Sequence, residues 1–365
     1  MSEVSRILDA AIMHNPGKAM LYGNLLADKL ETEGQLRQAR LLRRTLAKMP
    51  ENAIASSYAL PKDSEGNLNI ADIKFPDELG SEHLILHRYT EIKIAEFLNA
   101  VKQREKWVSE GIAAANRLLI YGPPGTGKTS IARLIAQELG LPLIIARSDA
   151  MMSSLLGQTS KNIRTLFEHV DGNPSVLFLD EIDALAKNRA DAQEVGELQR
   201  VVIALLQNID AMDPSTILIA ATNHPDLLDP AVWRRFDHTI KVDLPHLDQR
   251  IAMWADMLEG VIDDKADLKN LGMLSAGMSG SGIRTTANDM KRVKISTGME
   301  RLPLPMAAQR LARLMWVDHY ERFETDEAEI RALREWAPRI FTIRALSELF
   351  GVSVNKINNT INKNS

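Results

Sequence analysis

The sequence contains no cysteine, which excludes disulfide bonds, thiolate metal sites and a cysteine nucleophile and fits a reducing compartment. It also lacks long apolar runs: those near residues 141–146 and 217–221 have the length of strands and are too short to cross a bilayer. Charged side chains stand within residues 1–9, where a secretory signal requires an apolar run. These absences predict a cytoplasmic protein that makes no contact with a membrane.

A strong charge of either sign is missing as well. The 365 residues carry a formal net charge of −4, so any contact with nucleic acid would require a local patch. Hydrophobic residues make up 45% of the sequence, which is ordinary for a globular protein. The length suffices for two or three domains.

A glycine-rich segment is the strongest motif that is present. The short apolar strand 118–121 leads into the phosphate-binding spacing G-x-x-x-x-G-K-[ST] and then into a helix. Glycine is needed there because a Cβ would keep the backbone N–H groups away from a diphosphate. Lys128 is expected between the β and γ phosphates of a nucleotide, and the Thr129 hydroxyl on Mg²⁺. The predicted nucleotide-binding residues of this segment are Gly122, Pro123, Pro124, Gly125, Thr126, Gly127, Lys128, Thr129 and Ser130.

Two later strand ends carry polar side chains that suit hydrolysis. The apolar run 176–179 delivers Asp180 and Glu181 to the carboxyl edge of a parallel sheet, where ligands bind in α/β folds. Asp180 is expected to hold Mg²⁺ through water, and Glu181 to orient and polarise the attacking water. Asn223 ends the next strand, and its amide can hydrogen-bond both that water and a γ-phosphate oxygen.

Two adjacent arginines, Arg234 and Arg235, fit two interpretations. They could form a salt-bridged turn beside the neighbouring aromatic residues. Arginine is also the residue that neutralises charge on a transferring phosphoryl group, and a neighbouring subunit can supply it in trans. Both arginines are therefore candidate catalytic residues.

The predicted fold class is α/β. Strands without polar alternation are interleaved with helices from about residue 112 to 245, which indicates a parallel sheet covered on both faces. The remainder is helical in pattern. The predicted domains are a helical N-terminal region at 1–50, a linker at 51–80, a phosphate-loop nucleotide domain at 81–245, a small helical lid at 246–300 and a helical C-terminal domain at 301–365.

Four motifs together resemble the AAA-type ATPases, the branch of the AAA+ superfamily with a second region of homology. They are GPPGTGKT, LFLDEIDAL, AATN and LLDPAVWRRFD, and the likeness covers residues 85–298. The resemblance implies a nucleotide domain with a lid, and a ring, usually a hexamer, whose sites lie between subunits. By matching position it makes Asp180 and Glu181 the Walker B pair, Asn223 the sensor-1 residue, and Arg234 and Arg235 arginine-finger candidates.

The chain departs from the family pattern at three places. The family turn R-x-G-R-F-D separates its arginines, whereas they are adjacent here, which leaves open which one reaches the neighbour's phosphate. Ser279–Gly282 stands where the lid motif S-G-A-D is usual, and Gly280 is expected to allow close approach of the adenine or ribose. Leu155, Leu156 and Gly157 stand at the substrate-gripping pore loop, which in the family carries an aromatic residue.

The C-terminal segment 342–357 has the outline of a helix-turn-helix, with Gly351 at the turn. Its second helix carries asparagine and lysine side chains that can hydrogen-bond bases or phosphates. Residues 301–365 nevertheless hold ten Lys or Arg against eight Asp or Glu, which gives no basic field. DNA is therefore the less favoured partner, and a protein-docking helical domain the more favoured one.

Two functions follow from these patterns. The first is a ring-shaped, Mg²⁺-ATP-driven remodeller or unfoldase of protein substrates. The resemblance also implies a separately encoded effector, such as a subtilisin-like protease in defence systems, since this sequence has neither an H-E-x-x-H nor a G-x-S-x-G motif of its own. The second is a nucleotide-switched DNA-binding regulator that uses the C-terminal helices.

Overall fold

The computed structural model describes residues 4, 7–8, 16–32, 34–46, 69–80, 83–113, 115–147, 158–171, 174–185, 195–213 and 216–362. The chain divides into two compact units. The sheet unit takes the described residues of Met1–Leu84, Arg88–Gly122 and Lys128–Val242; the helical unit takes those of Ile85–His87, Pro123–Gly127 and Asp243–Ser365. Among the described residues, no helix combines the length and apolar character that crossing a membrane demands.

The regular elements are as follows. The strands are β1 Ala71–Lys74, β2 Arg117–Tyr121, β3 Leu143–Ala146, β4 Val176–Leu179, β5 Ile217–Thr222 and β6 His238–Lys241. The helices of the sheet unit are α1 Pro16–Thr32, α2 Leu36–Leu46, α3 Arg88–Lys102, α4 Arg104–Ser109, α5 Lys128–Glu138, α6 Gln158–Val170, α7 Val195–Ala211 and α8 Pro230–Trp233. Those of the helical unit are α9 Leu247–Met257, α10 Lys265–Leu274, α11 Gly280–Thr297, α12 Leu304–Met315, α13 Asp326–Trp336, α14 Ile343–Phe350 and α15 Val354–Asn362.

One six-stranded sheet, in the order β1-β3-β4-β5-β2-β6, forms the centre of the sheet unit. Strands β2 to β6 are parallel, and only β1 runs antiparallel, beside β3 at the edge. Every residue of β4 and β5 is buried, because helices cover both faces of a parallel sheet. The α/β class predicted from the apolar strands is confirmed.

The parallel arrangement brings several strand ends to one edge of the sheet. Tyr121 of β2 pairs in register with Thr222 of β5, and Leu179 of β4 lies level with Ala220. The residues that follow each strand therefore leave the sheet side by side. This edge carries the polar groups of the candidate site.

Two neighbouring apolar clusters build the helical unit. The first surrounds Trp254 and the second contains Trp316 and Phe341, while Leu274 and Met315 pack against both. Helix α12 contributes residues to each cluster, so it packs with the predicted lid helices as well as with the C-terminal ones. The division of this region at residue 300 stays a prediction.

Buried polar groups also tie the helical unit together. The Glu329 side chain on α13 is only 5% exposed. It accepts hydrogen bonds from Gln309 Nε2 at 2.9 Å and, in bidentate fashion, from Arg313 Nε and Nη2, both at 2.9 Å. A buried carboxylate needs such donors because its desolvation is otherwise costly.

At the C-terminus, α14 and α15 are joined by a turn in which Gly351 adopts φ +63°. Leu346 and Ile357 are fully buried in the second cluster, and Phe350 and Val352 pack against it. The Ser353 hydroxyl accepts a hydrogen bond from the Lys356 N–H at 3.3 Å, at the start of α15. The predicted helix-turn-helix outline therefore has the expected core, turn and helix start.

Candidate active site

The phosphate loop begins where β2 ends. Gly122 adopts φ +147°, and a Cβ built there would lie 2.0 Å from the carbonyl oxygen of Val242. The Gly122 N–H donates to the Thr222 carbonyl at 3.3 Å. Backbone on two sides thus encloses this position, and only glycine fits it.

The central part of the loop belongs to the helical unit. Gly125 has φ +72°, and a Cβ there would meet Ser281 Oγ at 2.1 Å. The Ser281 N–H donates to the Gly125 carbonyl at 3.0 Å, and the Thr126 hydroxyl donates to the Pro123 carbonyl at 2.9 Å. Ser281 lies in the first turn of α11, so the lid motif contacts the loop directly. A Cβ on Gly280 would meet the Gly125 carbonyl only at an ordinary 3.6 Å.

Lys128 opens α5 and is 7% exposed. Its Nζ donates to the Gly122 carbonyl at 2.8 Å. Burial lowers the pKa of this lysine, while the nearby carboxylates of Asp180, Asp183 and Glu181 act in the opposite direction. The ammonium group therefore lies within the loop and in the field of the acids that follow β4.

The Thr129 hydroxyl donates to Asp180 Oδ2 at 2.9 Å. The other oxygen of Asp180 accepts from the Glu181 N–H at 3.0 Å. A hydroxyl and a carboxylate are the oxygen ligands Mg²⁺ takes, and this ion commonly uses few protein ligands together with substrate phosphates. The pair, together with Lys128 at the Gly122 carbonyl, fits Mg²⁺ and the phosphates of ATP.

Glu181 has an unusual backbone conformation. Its φ of +51° makes it the one non-glycine residue with positive φ in the described part of the chain. For an L-residue this conformation costs roughly 1–2 kcal/mol. The turn leaves the Glu181 side chain exposed at the sheet edge, and strain of this kind is typical of functional positions.

Asn223 follows β5 and is half-buried. Its N–H donates to Asp183 Oδ1 at 3.4 Å, and the Thr222 hydroxyl donates to the same oxygen at 2.8 Å. Asp183 did not figure among the predicted site residues. The available signal was a third acid three positions after Asp180, and strand periodicity alone does not show that it is 2% exposed.

Arg234 and Arg235 make different contacts in the structure. Arg235 donates to both oxygens of Asp210 on α7, from Nε at 3.0 Å and from Nη2 at 2.9 Å. This pairing raises the pKa of Arg235 and lowers the pKa of Asp210. Arg234 is exposed, and its side chain makes no hydrogen bond or ion pair with any residue the structure describes.

The remaining predicted positions divide as follows. Ser130 lies half-buried in the first turn of α5, and Pro124 is exposed. The pore-loop residues Leu155 to Gly157 lie outside the described residues. The roles assigned to the individual site residues stay predictions.

Comparison with known proteins identifies the family. The model for "ATPase family associated with various cellular activities (AAA)" matches residues 118–244. The AAA family ATPase y4kL of Sinorhizobium fredii is 37% identical over 226 residues, which are 60% of this chain and 68% of that protein. The chain belongs to the AAA family of ATPases. It hydrolyses ATP and uses Mg²⁺, as the members of that family do.

Two further relatives of this AAA ATPase carry more specific names. The proteasome-activating nucleotidase of Saccharolobus solfataricus is 34% identical over 212 residues, 56% of this chain and 54% of the relative. The ATP-dependent zinc metalloprotease FtsH 3 of Sphaerobacter thermophilus is 30% identical over 216 residues, 58% of this chain and 44% of the relative. The AAA ATPase thus spans only about half the length of these two relatives.

Proposed function

We propose that this AAA ATPase forms a homo-oligomeric ring, a hexamer by family resemblance, that uses ATP hydrolysis to remodel protein substrates. The observation that carries the ring is the exposed Arg234, which lies one residue from an arginine that Asp210 already holds. A cation of this kind suits a phosphate bound by a neighbouring copy. The names of two relatives, one proteasome-activating and one an ATP-dependent protease, favour proteins as substrates.

Within one copy, the proposed roles follow from the contacts. Lys128 and the loop N–H groups bind the phosphates, and Thr129 and Asp180 would hold the metal. When bound, Mg²⁺ supplies charge neutralisation at the β and γ phosphates. Glu181 is the exposed carboxylate that orients water and accepts its proton as the water oxygen bonds to the γ-phosphorus and the bond from that phosphorus to the bridging oxygen of ADP breaks.

Two further groups complete the hydrolysis step. Asn223 is placed by its backbone hydrogen bond, and its amide holds the water and a γ-phosphate oxygen in line. Arg234 of a neighbouring copy neutralises the negative charge that is redistributed over the phosphoryl oxygens. Arg235 instead ties the turn after α8 to α7 through Asp210.

The finer proposal concerns the partner. The given sequence has neither an H-E-x-x-H nor a G-x-S-x-G motif, and our candidate effector is a separately encoded subtilisin-like protease in bacterial defence. The test is affinity capture with the Glu181→Gln variant, which is expected to bind ATP without hydrolysing it. A protein retained with ATP, released with ADP and absent from the matched Lys128→Ala variant would support remodelling. No nucleotide-dependent protein in that comparison would overturn it.

A second candidate function rests on α14 and α15, a helix-turn-helix whose second helix exposes Asn355, Lys356 and Asn359. Lys356 lies 3.9 Å from the Glu327 carboxylate, which offsets part of its charge. DNA that raises ATP turnover, with the rise lost in Lys356→Ala, would favour a DNA-binding regulator over the remodeller. Turnover that is indifferent to DNA supports the first proposal.

A further inference from the structure

Asp183 is a buried acid that the hydrolysis step described above does not use. It lies in the short 3-10 helix Ile182–Leu185, directly after the acids that follow β4, and is 2% exposed. A carboxylate buried to this degree requires hydrogen-bond donors, because leaving it unsatisfied costs several kcal/mol. The hydrogen-bond donors to Asp183 therefore indicate its role.

Two hydrogen-bond donors to Asp183 come from the end of the neighbouring strand. Thr222 Oγ1 and the Asn223 N–H both reach Asp183 Oδ1, at 2.8 and 3.4 Å. The Thr222 hydroxyl in turn accepts from the His224 N–H at 3.0 Å. Three consecutive residues at the point where β5 ends are thus held, directly or through one hydroxyl, by a single carboxylate oxygen.

The same turn is connected to the phosphate loop. The Thr222 carbonyl accepts a hydrogen bond from the Gly122 N–H at 3.3 Å. Both the carbonyl and the hydroxyl of this fully buried residue are therefore hydrogen-bonded. With Thr222 held and the Asn223 N–H bonded, the direction of the Asn223 Cα–Cβ bond is determined. Asp180 has different partners, namely the Thr129 hydroxyl and the Glu181 N–H. These hydrogen bonds to the two aspartates therefore come from different residues.

We propose that Asp183 is a positioning residue that, through Thr222, orients the Asn223 amide for the attacking water. This inference rests on the proposed role of Asn223. An aspartate suits the position because both of its oxygens accept hydrogen bonds, whereas an asparagine replaces one of them by an NH₂ group that, when buried, needs its own acceptor. Misplacing a group that aligns reactants slows the reaction without preventing binding.

The main test compares Asp183→Asn with Asn223→Ala and the double variant in the full-length protein. We expect Asp183→Asn to lower kcat about 10- to 100-fold. The KM for ATP and the Kd of a fluorescent ADP analogue should stay within about twofold, because ground-state binding is kept. In the Asn223→Ala background, Asp183→Asn should lower kcat no further, because the two residues act as one unit.

A matched pair at residue 222 makes the test independent of Asp183 itself. Thr222→Val keeps the volume and loses the hydroxyl; Thr222→Ser keeps the hydroxyl and loses a methyl group. We expect Thr222→Ser to retain far more of kcat than Thr222→Val, even where Thr222→Ser melts at the lower temperature. A purely structural role predicts instead that kcat follows the melting temperature in both.

The results distinguish the proposed role of Asn223 from the proposed role of Asp183. Wild-type kcat in Asn223→Ala would overturn the role of Asn223 and this inference with it. A slow Asn223→Ala beside an unaffected Asp183→Asn, or additive losses in the double variant, would overturn this inference alone. If Asp183→Asn fails to fold, the comparison of kcat between Thr222→Ser and Thr222→Val decides whether this inference holds.

Discussion

Replacing each of the adjacent arginines by alanine separates a structural role from a catalytic one. Arg235 makes a bidentate ion pair with Asp210, with side chains 30% and 49% exposed, and also donates from Nη1 to the Ala231 carbonyl at 3.3 Å. Arg234 has no such contact with the described residues. We therefore expect Arg235→Ala to affect stability and Arg234→Ala to affect hydrolysis.

The magnitudes differ widely. An ion pair this exposed contributes little to stability, so Arg235→Ala should lower the free energy of unfolding only slightly. Because the unfolding entropy grows with chain length, for 365 residues this corresponds to a Tm lower by no more than about 1–2 °C. Arg234→Ala should leave Tm unchanged and, as an arginine finger, lower kcat about 10³-fold or more.

The assay is phosphate release at saturating ATP beside a thermal melt for each variant. Mixed rings then test whether Arg234 acts in trans. Arg234→Ala subunits keep Lys128, while Lys128→Ala subunits keep Arg234, so an equal random mixture restores about a quarter of the sites. Activity near a quarter of wild type, from two variants inactive alone, is the expected result.

Two outcomes would refute the reasoning. One is an Arg234→Ala enzyme with wild-type kcat beside an inactive but stable Arg235→Ala enzyme, which would reverse the assignment. The other is a mixture no more active than the sum of its parts, which would exclude a shared site.

Three further expectations follow from the contacts. Gly122→Ala should destabilise the protein by about 1–3 kcal/mol in calorimetry, since its Cβ would lie 2.0 Å from the Val242 carbonyl oxygen; unchanged stability would contradict this. Arg313→Ala should lower the free energy of unfolding, measured in urea, by about 1–3 kcal/mol, because it leaves the buried Glu329 carboxylate short of hydrogen-bond donors. An unchanged urea midpoint would argue against the contribution of that ion pair. Burial lowers the pKa of His238 in the folded protein, so the unfolded chain binds a proton first as the pH falls. The free energy of unfolding should therefore decrease as the pH drops below about 6.5, and it should decrease less steeply in His238→Phe. Equal pH slopes in the two proteins would count against this expectation.

The strands were predictable because each is a local feature. A run such as residues 217–221 is apolar without alternation, and this pattern follows from burial on both faces of a parallel sheet. The antiparallel direction of β1 was not predictable, because it depends on its pairing with β3, which is distant in sequence, rather than on the residues of the strand. The phosphate loop was predictable for a similar local reason: Gly122 and Gly125 stand at positions where φ is positive and a Cβ would strike a neighbour.

The roles of the polar residues were not predictable in this way, because they depend on partners distant in sequence. Asp183 and Thr222 are 39 residues apart and meet only because β4 and β5 are neighbours in the sheet. The sequence shows three acids close together after β4 and contains nothing that separates a metal-binding acid from a positioning one. Burial and donors make that distinction.

The arginine pair shows why identical side chains need the fold to be told apart. Arg234 and Arg235 are neighbours in sequence with the same chemistry, so no pattern ranks them. Asp210, 25 residues earlier on α7, lies within reach of one of them and holds it in a bidentate geometry. A guanidinium already committed to a carboxylate would have to break that pair before it could reach a phosphate on another copy. Arg234 has no such cost among the described contacts, and for that reason it is the better candidate for the shared site.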